Sequence, residues 1–201
     1  MRAAAAPGRQ GRYNSTVTET AEWPRDPEDR PDGWLSDEAL ARARLTLPML
    51  YVDAVPVRID DSGDVVAVGL LLRVTGDGAM TRDLISGRVM YHERVRDALV
   101  RHIEKDLGPV ALPQIPASPQ PFTVAEYLPT LGVTPYHDAR QHAVSLAYVV
   151  PVLGDCRPQQ DALDLAWLTP EDACADTVQV EMAGGRGLLL RQAMAWVGRM
   201  P

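Results

Sequence analysis

Lysine is almost missing from this chain: of its 20 basic residues only Lys105 is not an arginine. That bias reads as genome base composition rather than as a row of phosphate clamps. Acidic residues outnumber basic ones 27 to 20, for a formal net charge of -7. A chain with that balance lacks the basic face a nucleic-acid backbone requires, although a local basic pocket for one nucleotide stays open. Cysteine is nearly absent too. Cys156 and Cys174 lie 18 positions apart, which matches no zinc spacing and makes no disulfide framework. Two reduced thiols in a cytoplasmic protein are expected. No run is long enough for a membrane: the longest apolar stretch, Ala143 to Leu153, includes Ser145 and Pro151 and falls well short of the roughly 20 residues a span needs. The alanines after Arg2 lack the apolar core of a signal peptide. There are no internal repeats, and neither G-x-S-x-G, G-x-G-x-x-G nor Walker spacing occurs.

What is present is 201 residues with 46% hydrophobic content, enough for one domain with a tail. Residues 1–33 are rich in Pro, Gly, Arg, Asp and Glu and are expected to form a flexible tail; 34–201 form a single domain. Ser36-Asp37-Glu38 is a cap with an acidic first turn and opens a short helix to about Leu45. Tyr51 to Ile59 and Val65 to Val74 are strands joined by the turn Asp60 to Asp64, a hairpin whose second strand is almost wholly apolar and so covered on both faces. Arg58 and Arg73 are polar exceptions near the strand ends, either solvated or in touch with a ligand. Thr75 to Ser86 reads as a loop, and the proline-rich stretch from Pro109 to Pro121 as an extended connector. Strands are expected over 122–128, 141–153 and 162–168, then a helical turn at Thr169-Pro170 and a C-terminal helix over 187–199. A mixed sheet between helices buries these faces, an α/β (α+β) class.

The organising stretch is Ser86 to Gly108, SGRVMYHERVRDALVRHIEKDLG. From Val95 the apolar residues Ala98, Leu99, Ile103 and Leu107 return at helical spacing, and Gly108-Pro109 stops the helix. Asp97 and Arg101, four apart, are placed to pair. His102 and Asp106 fall on the border of the apolar stripe, with Lys105 on the adjoining edge, well placed to line a cleft. The plainer alternative is a helix-stabilising His–Asp pair. Elsewhere, His137 and His142 bracket Asp138 and Arg140, a polar loop whose His142 either caps a strand or holds a base or ribose. The run Gly184-Gly185-Arg186-Gly187 is open to cradling a phosphate at a helix N-terminus, but without Walker spacing it reads better as a flexible start to the last helix.

Glycine, five residues, glutamate, seven residues, arginine, an acidic turn and a second glycine resemble the Nudix box, G-x5-E-x7-R-E-U-x-E-E-x-G-U. Gly87, Glu93, Arg101, Ile103 and Gly108 stand on its fixed positions. The segment Leu165 to Glu171 also resembles the family's last strand and its proline-glutamate helix start. The resemblance covers about residues 50 to 199. It implies the Nudix fold, a mixed β-sheet sandwiched between α-helices, and hydrolysis of nucleoside diphosphates linked to another moiety. It also implies Mg²⁺ or Mn²⁺ held by three glutamates, where this chain has His102, Lys105 and Asp106. Asp106 with His102 is then the metal pair. Glu93, Arg101 and, from the loop after the long strand, Asp161 are the catalytic set, with Gly87, Lys105, Arg58, Arg73 and His142 as substrate contacts.

Two readings follow. In one, metal at Asp106 polarises phosphoryl oxygens and the chain is a pyrophosphohydrolase with a degenerate box. In the other it is a non-catalytic Nudix-fold module for a nucleotide or a protein partner, with Lys105 in place of the metal charge and no cofactor. Both imply a nucleotide-type small molecule as partner, neither nucleic acid nor membrane, and by family habit a homodimer.

Overall fold

The computed structural model describes residues 35–75 and 78–198; the tail expected over 1–33 lies outside them. The elements run α1 (Asp37–Thr46), β1 (Met49–Ile59), β2 (Val65–Val74), β3 (Met80–Asp83), β4 (Ile85–Arg88), α2 (Val95–Leu107), β5 (Thr123–Leu128), β6 (Tyr136–His137), β7 (Ala143–Pro151), β8 (Ala162–Leu168), α3 (Pro170–Cys174), α4 (Asp176–Gln179) and α5 (Arg186–Trp196). The expected fold class stands: a mixed sheet packed between helices.

The strand order is β3-β2-β1-β7-β5-β6, with β4 on β1 and β8 on β2. β1 is the axis. Most of it pairs in parallel with β7, from Met49 opposite Ala143 to Val57 opposite Pro151. Its other edge is shared: the first half pairs with β4 and the last residues with β2, both antiparallel. That division curls the sheet, because one edge cannot follow two partners and stay flat.

Successive residues of β1 point to opposite faces, and each face has its own core. Val52 and Ala54 join Leu99, Ile103 and Leu107 of α2 on one side. Val55 and Val57 join Leu189, Leu190 and Met194 of α5 on the other. A strand buried on both faces reads as a continuous apolar run, which is why Asp53, 1% exposed in the middle of β1, stands out.

Thr75 to Ser86 is not the loop expected. It forms most of β3 and β4, two four-residue strands. MTRD and ISGR show no apolar alternation, so only pairing with β2 and β1 reveals them. β6 and α4 were likewise too short to read. Asp97 pairs with Arg94, at 2.7 Å, rather than with Arg101. Among the described residues no helix is long and apolar enough to cross a membrane.

Candidate functional site

The box segment folds into a clamp. Arg101, on the first half of α2, donates to both oxygens of Glu93 at 2.7 Å each. Its Nη2 also reaches the Arg88 carbonyl at 2.9 Å. Glu93 accepts a further bond from the Met90 N–H, 2.9 Å. Burial raises the Glu93 carboxyl, but these donors outweigh it and hold the group below the usual glutamate range. Glu93 is therefore spent on fixing the loop between β4 and α2.

Gly87 and His102 are part of the same clamp. A Cβ on Gly87 would lie 1.8 Å from His102 Cε1, so only glycine lets the imidazole pack on β4. His102 Nε2 donates to the Arg88 carbonyl at 3.0 Å, which leaves Nδ1 as an unpartnered buried acceptor. His102 is buried rather than at a rim, and it makes no pair with Asp106. Burial pushes its pKa down, and Arg101 and Lys105 add to that against the pull of the Arg88 carbonyl.

The other end of α2 opens on a cleft of about 750 Å³, within the size range of small-molecule sites. Arg73, Lys105 and Asp161 line one end of it; Asp53, Ser145 and Tyr127 line the other. The Arg73 guanidinium is ringed by carboxylates. Nη2 donates to Asp106 Oδ2 at 2.8 Å, Nη1 donates to Asp161, and Nε lies 3.7 Å from Asp83. Lys105 Nζ stands 3.7 Å from the other oxygen of Asp106, whose side chain is fully buried. Burial alone would lower the Arg73 pKa, but Asp106 more than restores it, so the cation is permanent. Asp161 stays ionised: its partial burial is outweighed by Arg73.

From Asp83 the charges continue across the cleft floor. Arg186, at the start of α5, forms ion pairs with Asp83, Nε at 3.0 Å, and with Asp53, Nη1 at 3.5 Å. Tyr127 donates to Asp53 at 3.2 Å. Burial raises Asp83 despite its two arginines. Asp53 Oδ1 and Ser145 Oγ are buried with no hydrogen-bond partner.

Of the residues singled out from the sequence, Arg73, Lys105 and Asp161 meet at the cleft with Asp106 behind them. Gly87, Glu93, Arg101 and His102 form the clamp and do not line it. Arg58 is elsewhere: it donates to the Gly154 carbonyl at 2.6 Å and stacks on Trp167, so it braces the β7–β8 connection. His142 pairs with Glu126 at 3.1 Å, outside the cleft lining. Asp53, Asp83, Tyr127 and Ser145 were not foreseen, and Arg186 only as part of the glycine run that opens α5. Asp53 carried a signal, a charge within an apolar strand, which burial makes costly unless partnered; Asp83, Tyr127 and Ser145 carried none.

The residues present do not fit a divalent metal. Mg²⁺ needs several hard oxygen ligands, and among the described residues no group of three His, Cys, Asp or Glu could hold one. Asp106 lies between two cations, although its Oδ1 accepts no hydrogen bond; Glu93 is committed to Arg101, and His102 to the Arg88 carbonyl. The Arg73 guanidinium stands among Asp83, Asp106 and Asp161, where a metal would have to sit to gather them.

Residues 30–199 match the family described as Domain of unknown function (DUF4916), and the chain belongs to that family. A solved structure from Jonesia denitrificans DSM 20603, described as a possible asymmetric diadenosine tetraphosphate (Ap4A) hydrolase, is 71% identical. That match spans 78% of this chain and 98% of the other, with a TM-score of 0.76. The NUDIX domain of Shewanella oneidensis NrtR, solved with ADP ribose, matches at TM-score 0.54 and 19% identity over 81% and 98% of the two chains. A NUDIX hydrolase from Nitrosomonas europaea matches at 0.55 and 14%, over 77% and 93%. The chain has the Nudix fold. The last two likenesses bear on the fold alone. No curated protein matches the chain. Within this fold, the end of α2 carries its own cations, Lys105 and the facing Arg73, beside Asp106.

Proposed function

We propose that this Nudix protein is a pyrophosphohydrolase of nucleoside diphosphates linked to another moiety, dinucleoside polyphosphates among them. The observation that carries the reading is the end of the cleft where Arg73 and Lys105 stand beside the ionised Asp161. Preorganised cations at developing phosphoryl charge are the main catalytic resource in phosphoryl transfer. Arg73 and Lys105 hold the phosphoryl oxygens, and Asp161 accepts a proton from the attacking water. A new P–O bond forms from that water, the P–O bond to the bridging oxygen breaks, and the second phosphate leaves as the anion. The 71% identity to a possible Ap4A hydrolase supports the substrate class.

The test is product analysis. Purified protein is incubated with Ap4A and with ADP-ribose, in Mg²⁺, in Mn²⁺ and in EDTA, and nucleotides are separated by chromatography. Mononucleotide products abolished by Asp161→Asn are expected; no product under any condition sinks the hydrolase reading. One observation favours the second reading, a binding module without turnover: Glu93 and Asp106 are both consumed in ion pairs. Its mark is a ligand that binds and is recovered intact.

A further inference from the structure

The three carboxylates around Arg73 come from three separate parts of the chain: Asp83 from β3, Asp106 from the end of α2, and Asp161 from the residue before β8. Each addresses a different nitrogen of one guanidinium. Nothing else in the described structure gathers them. Like charges held close repel one another unless a cation separates them, and Asp106 has no exposure to water to soften that cost.

The formal charges at the site nearly cancel: Asp53, Asp83, Asp106 and Asp161 give four negative and Arg73, Lys105 and Arg186 three positive, a formal net of -1, with burial working against the charge on Asp83. Asp161 differs from the other acids in one respect: its side chain is 70% exposed, against 0% for Asp106 and 21% for Asp83. It can leave without moving the core, and its departure frees the cleft-facing side of Arg73.

We propose that Arg73 is a resident cation in the place a divalent ion would need, so that ligand phosphate is met by Arg73 and Lys105 without metal, in exchange for Asp161. The guanidinium holds Asp83 and Asp106 together as a built-in counterion. An incoming phosphate displaces the Asp161 carboxylate from Nη1 and takes its hydrogen bond, with Lys105 beside it. The displaced carboxylate remains at the phosphate, where the proposed hydrolysis uses it. The ligand half of this inference rests on the functional reading above; the metal half does not.

The experiment therefore has a metal arm and a ligand arm. In the first, Mn²⁺ is titrated into wild-type protein and free Mn²⁺ is read by electron paramagnetic resonance. No depletion of free Mn²⁺ up to millimolar concentration is expected. Stoichiometric binding in the wild type overturns the proposal whatever the enzyme does. Arg73→Ala removes the one cation that the three carboxylates share, leaving Arg186 at Asp83 and Lys105 at Asp106, and is expected to gain Mn²⁺ binding, seen also as a metal-dependent rise in its unfolding temperature. Where that variant does not fold, Arg73→Gln repeats the arm, and the wild-type titration stands by itself.

In the second arm, ADP-ribose and inorganic pyrophosphate are titrated calorimetrically in EDTA. Binding that persists in EDTA is expected, about tenfold weaker in Lys105→Gln and about threefold tighter in Asp161→Asn, since loss of one charge-assisted contact or one competing charge works on that scale. Binding seen only with Mn²⁺ overturns the inference but keeps the hydrolase reading. Intact binding in EDTA without hydrolysis does the reverse.

Discussion

The two ends of helix α2 have been built by opposite means. Around its beginning, Glu93, Arg101 and Gly87 make a clamp: a bidentate ion pair, a backbone donor and a histidine packed on glycine. At its end, Lys105 and Asp106 belong to a charged group that reaches across five elements and opens on a cleft. The first end holds a loop in place, and its carboxylate and guanidinium are turned to each other rather than to the cleft. The second has an exposed carboxylate and two cations at the surface of a cavity. Stability and chemistry have been separated along one helix, and substitutions at the two ends should be read on different instruments.

The largest expected effect is on the clamp. Arg101→Ala leaves Glu93 half-stripped of partners in a mostly buried position, and should cost about 3 kcal/mol in urea unfolding, the lower range for a broken buried pair. Gly87→Ala drives a methyl into the His102 ring and should cost about 2 kcal/mol by overpacking. Neither variant should alter ligand affinity per folded molecule; a large affinity loss with intact stability would break the comparison.

A smaller effect sharpens it through pH. The folded pKa of His102 lies below its ordinary value of 6.5. The unfolded chain thus binds the proton first, and the neutral ring's contribution is complete above pH 6.5 and is lost as pH falls from there toward the folded value. Unfolding midpoints measured from pH 7.5 downward should show that decline, and His102→Gln should flatten it. The smallest stability effect is at the other end. Lys105→Gln should change unfolding by no more than about 0.5 kcal/mol, since a half-exposed ion pair contributes little. Its signature is the weaker binding of phosphate.

Much of this was legible before any coordinates. The helical spacing from Val95 and the stop at Gly108 place α2, and Gly108 does adopt φ 90°. The hairpin of β1 and β2 was legible from the turn between two apolar runs. The glycine, glutamate and arginine of the clamp were singled out through the family resemblance, but as catalytic and substrate residues; their mutual packing, with His102 on Gly87, shows only in the fold. What the chain could not show is where long side chains end. Arg58 and Arg73 look alike, each a lone arginine near a strand end. One turns to backbone carbonyls and Trp167, the other to three carboxylates 10 to 88 positions away in sequence. Only the assembled sheet separates them. His92 is a related case: it takes φ 63°, a left-handed conformation that glycine reaches at lower cost, and no spacing rule announces it.

The segment that carries Asp161 is tied to α2 by its backbone. The N–H groups of Arg157 and Gln159 donate to the carbonyls of Leu107 and Asp106 at 2.8 and 3.1 Å, closing the last turn of α2. Any residue except proline supplies those donors. The chain can therefore rewrite the chemistry presented by this segment, residue by residue, while the scaffold beneath keeps the same hydrogen bonds; a new specificity here comes without a new fold.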